Sequence, residues 1–114
     1  MDFEHIGLIT TEKKDDEDWV EDTKVWVTNP KKHPYKVEWL RFREDSPVKG
    51  DLRDKPHVAF SVDDLEKASK GLTVLLEPFE VGGFVRAGFY KNKDGAIVEL
   101  MEYLGDKEEW FGKK

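Results

Sequence analysis

The chain is 114 residues long, 39% charged, with a net charge of −6 and no cysteine. That length suits one domain with a true core, small enough to favour a homodimer. The acidic balance argues against a nucleic-acid partner, the lack of cysteine removes disulfides, thiolate ligands and cysteine nucleophiles, and no apolar run approaches a membrane span. Met1-Asp2-Phe3-Glu4 lacks the basic and apolar stretches of a signal peptide, so a cytoplasmic location is expected.

Phe3 to Ile9 is predicted as a buried strand, with Phe3, His5, Gly7 and Ile9 pointing one way and Ile6 and Leu8 the other. Thr10 to Asp18 is a polar run without apolar periodicity and reads as a solvated loop. Trp19 to Thr28 alternates as a strand centred on Val25, Trp26 and Val27, residue types that favour strand over helix. Asn29 to Pro34 is a turn, and His33 within it is expected to be a solvated loop residue. Tyr35 to Arg43 is a further alternating strand: Glu38, Leu40 and Phe42 share one face, and Val37, Trp39 and Arg41 the other.

Glu44 to Pro56 holds Ser46-Pro47, Gly50 and Pro56 among charges and reads as the connection between two halves. His57 to Val62 is the strongest strand, with His57, Ala59 and Ser61 on one side and Val58, Phe60 and Val62 on the other. Asp63 is the predicted N-cap of a short helix, with Glu66 in the capping-box position, Leu65 and Ala68 facing inward and Gly71 ending it. Leu72 to Leu76 is a strand expected to stop before Pro78. Gly82-Gly83 turns the chain into a strand from Phe84 to Tyr90, Asp94-Gly95 marks a hairpin, and Ala96 to Tyr103 closes the fold. The tail, Leu104 to Lys114, is charged apart from Trp110-Phe111, a pair expected to pack on the domain or cap a partner's cleft.

The second half therefore reads β-α-β-β-β, and the first β-loop-β-β, the same unit with its helix eroded. His5-Ile6-Gly7-Leu8 matches His57-Val58-Ala59-Phe60, and Val37-Glu38-Trp39-Leu40 matches Val98-Glu99-Leu100-Met101. Glu99 follows His57 by 42 positions and Glu38 follows His5 by 33; the shortfall of 9 corresponds to a short helix at about 3.6 residues per turn. Two such units in one chain would bury their faces together. An ionisable group inside an apolar strand is costly unless paired or coordinated. Two histidines and two carboxylates in equivalent places therefore suggest one divalent ion shared by His5, Glu38, His57 and Glu99, with Gly7 and Ala59 leaving room beside the histidines. Imidazole with carboxylate suits zinc, nickel, iron, manganese or cobalt without choosing among them. Two histidines with one carboxylate would resemble an iron(II) facial triad, whereas four ligands with open positions would suit a Lewis-acid site. The plainer alternative leaves the histidines bonded to backbone at strand ends and the two glutamates on solvent.

Three stretches, Phe3-Glu4-His5-Ile6-Gly7, Pro56-His57-Val58-Ala59-Phe60-Ser61-Val62-Asp63-Asp64-Leu65 and Asp94-Gly95-Ala96-Ile97-Val98-Glu99-Leu100, resemble the vicinal oxygen chelate superfamily. That superfamily holds glyoxalase I, extradiol dioxygenases, methylmalonyl-CoA epimerase and the fosfomycin and bleomycin resistance proteins. The resemblance runs as far as Tyr103, with the Asp94-Gly95 turn and Glu99 as its firmest signature. It implies an α+β fold of paired βαβββ modules in one glyoxalase-like domain over residues 1–114. Module one would span about 3–45 with its helix reduced or lost, followed by a linker at 46–55, module two at 56–103 and a tail at 104–114.

By the same resemblance, His5, Glu38, His57 and Glu99 would be metal ligands, and Glu99 and Glu38 catalytic groups that shuttle a proton. In dimeric members the cleft is completed by the partner chain. The implied function is a metal-dependent lyase or isomerase of the glyoxalase type acting on a small oxygenated substrate. Alternatives are a metal-free small-molecule binding protein like the bleomycin-resistance relatives, and an iron(II) extradiol-type dioxygenase. No residue marks a glutathione, coenzyme A or catechol pocket. Arg41, Arg86, Tyr90 and Lys91 are candidates to line the cleft and hold an anion, although Arg41 falls opposite Glu38 and is expected on solvent. Phe42, Trp26 and Met101 are expected in the core.

Overall fold

Eight strands form, in chain order, at β1 (Asp2–Ile9), β2 (Asp18–Val20), β3 (Val25–Val27), β4 (Val37–Phe42), β5 (His57–Ser61), β6 (Thr73–Val81), β7 (Val85–Lys91) and β8 (Ile97–Tyr103). Two one-turn helices, α1 (Asp51–Asp54) and α2 (Leu65–Ala68), and a 3-10 turn at Pro30–Lys32 complete the elements. The structure, a computed structural model, describes residues 1–112. It is a mixed α+β fold, mostly strand, with all eight strands in one curled sheet ordered β2-β3-β4-β1-β5-β8-β7-β6.

The two histidine strands, β1 and β5, lie antiparallel at the centre of this sheet. Each has a parallel partner on its outer side, β4 against β1 and β8 against β5. Antiparallel strands then extend each half outward, β3 and β2 on one side and β7 and β6 on the other. From the centre outward the halves repeat one order: first strand, last, third, second.

Several elements depart from the sequence-based expectation for local reasons. The predicted strand Trp19 to Thr28 is instead a hairpin, β2 and β3, because Glu21 to Lys24 forms a turn. Lys24 takes a left-handed φ of 50° and its N–H donates to the Glu21 carbonyl at 3.3 Å. The first half thus has four strands. In α2 the N-cap is Asp64, not Asp63: Asp64 has extended backbone and its carboxylate accepts from the Lys67 N–H. Glu66, freed from a capping box, reaches the Arg86 guanidinium at 2.7 Å. β6 runs through Pro78 rather than stopping before it. As an edge strand with register shifts between Val74 and Phe79, it tolerates a residue that cannot donate to a ladder.

The core lies on both faces of the sheet. On one face α2 buries Leu65 completely against Tyr90 and Leu100, worth roughly 1.5–3 kcal/mol for a side chain of that size. On the other, Val25, Val27, Leu40, Ala87 and Met101 pack with Trp110. Met101 is therefore core as expected, while Phe42 and Trp26 are half-buried. The segment expected as a solvated linker is partly interior: Ser46, Val48 and Leu52 are buried, with Leu52 carried by α1. The tail packs on its own domain. Trp110 is 4% exposed, its indole N–H donates to Asp18 at 2.7 Å, and Phe111 stacks edge-on against Phe84. The last two residues of the tail, Lys113 and Lys114, lie outside the described residues. Among the described residues no helix is long and apolar enough to cross a membrane.

Candidate metal centre

Strand register brings the four predicted ligands together. Across β1, β5 and β8, His5 pairs with Ala59, which pairs with Glu99. Across β4, β1 and β5, Glu38 pairs with Gly7, which pairs with His57. Each row thus reads donor, small residue, donor. Residues two apart on a strand share a face, so the two rows stack as neighbouring rungs. The role of the small residues is sharper than sequence suggested. They make room for the opposite strand's imidazole: a Cβ at Gly7 would overlap His57 Cε1 and stand 2.5 Å from both ring nitrogens.

All four side chains are buried, at 1% exposure for His5, 3% for His57 and 7% for each glutamate. This excludes the alternative with Glu38 and Glu99 on solvent. His57 Nε2 lies 3.0 Å from Glu99 Oε1, and His5 Nε2 lies 3.2 Å from the same oxygen and 3.3 Å from Glu38 Oε1. His57 Nε2 and Glu38 Oε1 are 4.0 Å apart, and the four donor atoms all fall within 4.8 Å of one another. Donors held about 2.1 Å from one ion lie roughly 3.0 Å apart at right angles and about 3.4 Å apart at tetrahedral angles. The residues therefore fit a divalent cation. One orphaned atom points the same way: His5 Nε2, which faces both carboxylates, is buried and makes no hydrogen bond, its short contacts being poorly aligned for one.

The electrostatics reflect a compact set of opposite charges. Burial opposes protonation of His5, but Glu38, with help from Glu4 and Glu99, outweighs it and holds the imidazole well above its usual pKa. Burial would raise Glu99, yet the two imidazoles hold its carboxyl far below the usual range. Behind His5 sits a group the sequence reading missed. Glu4 Oε1 lies 3.8 Å from His5 Nδ1, while Glu4 Oε2 accepts from the Tyr103 hydroxyl at 2.9 Å, and Lys31 donates to that hydroxyl at 2.8 Å. Strict alternation would turn Glu4 away from His5. A register shift between Phe3 and His5 breaks the alternation, leaving Phe3 half exposed against Phe60 and bringing Glu4 round to the imidazole.

Glu38, His57 and Glu99, with Thr23, are the polar members of a largely apolar chamber of about 60 Å³. Val25, Val27 and Leu40 line it from the first half, and Phe79, Val81 and Phe89 from the second. Val48 and Leu52 of the 44–56 connection and Trp110 of the tail also line it, so both segments help enclose the space. The proposed anion-holding residues are elsewhere. Arg41 bonds Glu17 through two nitrogens at 2.9 and 2.7 Å, Arg86 bonds Glu66, and Lys91 bonds Asp51. Tyr90 is buried on the opposite face with Leu65, one residue out of phase with Phe89. His33 is half-buried in its loop and accepts from the Tyr35 N–H at Nδ1. No protein-family model matches the chain, and no curated protein shows significant similarity to it.

Proposed function

We propose that the chain is a metal-dependent lyase or isomerase of the glyoxalase type, a vicinal oxygen chelate protein built from two βαβββ modules of which the first has lost its helix. The repeated strand order supports the module assignment. The observation that carries the function is the buried convergence of His5, Glu38, His57 and Glu99, with His5 Nε2 unbonded, the last three on the wall of a chamber. These four would hold the ion, and when bound it would supply Lewis-acid polarisation of the substrate's oxygens. All four come from one chain, so this donor set needs no partner subunit.

The two carboxylates are not equivalent. Glu99 accepts a hydrogen bond from His57 and lies as close to His5, an arrangement that holds it ionised and fixed. Glu38 meets His5 at 3.3 Å and stands 4.0 Å from His57. Glu38 is the less constrained carboxylate facing the chamber, and it takes the role of proton shuttle; Glu99 positions the imidazoles. The test is stoichiometric uptake of a divalent metal by the purified chain, lost in His57→Ala, followed by deuterium exchange at the carbon next to a hydroxyketone carbonyl. Glu38→Gln, at saturating metal, should abolish exchange; exchange at the wild-type rate would overturn the assignment. A metal-free binding protein is the second reading, favoured by the direct His57–Glu99 hydrogen bond at 3.0 Å, which pairs the cluster without an ion.

A further inference from the structure

The chamber lies between the outermost hairpins of the curled sheet, β2 with β3 at one end of the strand order and β6 with β7 at the other. The tail joins them. Trp110 forms part of the chamber wall and donates its indole N–H at 2.7 Å to Asp18, the first residue of β2. Phe111 packs edge-on against Phe84 and lies over Gly82, in the turn between β6 and β7. Two neighbouring side chains thus reach opposite rims.

The stretch leading to them buries little. Residues 104–108 are all exposed, and a segment with so little buried apolar surface opens locally at a lower free energy than the strands beneath it. Phe111 also takes a left-handed φ of 48°, which an aromatic residue adopts against a steric cost. Its seat is shaped for the ring: a Cβ at Gly82 would stand 2.5 Å from Phe111 Cδ1, whereas a Cβ at Gly83 would meet nothing within 4 Å. The wall supplied by Val48 and Leu52 is fixed more firmly. Ser46 Oγ donates to the Thr23 carbonyl and accepts from the Val48 N–H, Lys91 donates to Asp51 at 2.9 Å, and the connection runs into a strand at each end.

We propose that residues 104–112 form a latch across the rims of the chamber. Release of Trp110 from Asp18 and of Phe111 from Gly82 swings the segment aside and widens the way in, while the sheet stays intact. None of these residues belongs to the metal centre, so the latch stands apart from the metal-dependent reading.

The absence of cysteine makes the chain a host for a single thiol reporter. Val27→Cys places one on the chamber wall beside the latch, since Val27 pairs with Asp18 and belongs to the cluster that holds Trp110. Val48→Cys places another on the wall in the separate cluster with Leu52 and Phe89. Each is labelled with N-ethylmaleimide under native conditions and followed by mass spectrometry. Gly82→Ala, which pushes Phe111 from its seat, should speed labelling of Val27→Cys at least about tenfold, equivalent to ~1.4 kcal/mol in the opening equilibrium, and leave Val48→Cys within about twofold. Gly83→Ala imposes comparable left-handed strain, at a φ of 73° against 58°, without the collision, and should leave both reporters near the parent rate. Trp110→Phe, which keeps a ring and loses the bond to Asp18, should act as Gly82→Ala does. Equal acceleration of the two reporters would mean opening of the whole fold and would overturn the latch. Unchanged labelling of Val27→Cys in Gly82→Ala and Trp110→Phe, or acceleration by Gly83→Ala equal to that by Gly82→Ala, would overturn it too.

Discussion

Replacing Gly7 by alanine adds one methyl group at the point where the two halves of the site interlock. Gly7 does not have a positive φ, so the backbone itself accepts alanine, and in isolation the change should stabilise the chain by about 0.4–1 kcal/mol through the unfolded state. The added Cβ would, however, stand 2.5 Å from both His57 ring nitrogens, against 3.4 Å for an ordinary contact. Because Cε1 is closer still, the imidazole must retreat by well over 1 Å, or β1 and β5 must separate, and overpacking of this kind costs roughly 1–3 kcal/mol. His57→Ala removes the obstructing ring, and the new methyl then fills part of the space it leaves. Gly7→Ala should therefore be destabilising in the wild-type background and neutral or stabilising in His57→Ala, a coupling of about 1–3 kcal/mol, equal to the overpacking cost. Urea unfolding of the four proteins without metal measures it, and a chelator competition shows whether Gly7→Ala also weakens metal uptake. An equal cost of Gly7→Ala in both backgrounds would refute the proposed interlock.

Other outcomes follow from the same geometry. Glu4→Gln should weaken metal binding by less than about tenfold, because the carboxylate stands 3.8 Å from His5 Nδ1 and acts on the ring by its charge rather than by a hydrogen bond; chelator competition reads it. Trp110→Ala should cost about 3–5 kcal/mol in urea unfolding, because the indole is buried and bonded to Asp18, yet leave stoichiometric metal uptake intact. Metal affinity should rise with pH from the ordinary imidazole range until His5's raised pKa is passed, by about tenfold per unit for one displaced proton, and then level off. The sign for the metal-free chain is opposite: the stability contributed by protonated His5 is complete below about pH 6.5 and is lost as pH climbs through the raised value. A competition titration and a thermal-unfolding series over pH separate the two.

The site was legible because two short repeats carried it. The pattern of histidine, aliphatic, small residue recurs at His5 and His57, and antiparallel pairing of those strands sets each histidine opposite the other's small residue. What remained hidden depends on contacts without periodicity. Glu4 is adjacent to His5 in sequence, but its reach to the imidazole rests on a β-bulge that strict alternation forbids. Trp110, Val48 and Leu52 sit in charged segments whose composition describes surface, while three side chains within them turn inward. Tyr90 and Phe89 are both apolar and buried, so the sequence did not say which one faces the chamber.

The first connection is a loop, as its composition implies, and none of its residues is buried. Within this largely exposed run from Thr10 to Asp18 one side chain departs from it: Glu17 is only 6% exposed and grips Arg41 with both carboxylate oxygens. Arg41 lies 4.0 Å over the Trp26 ring, and Lys14 lies 4.6 Å over Trp39. In the second half α2 covers the sheet by burying Leu65; in the first, cations stacked on tryptophans take that place. Arg41 lies on the face of β4 opposite Glu38, and there this arrangement commits it to the loop. The two halves thus cover the same face of the sheet by different means, one with a buried leucine and the other with cations over indole rings.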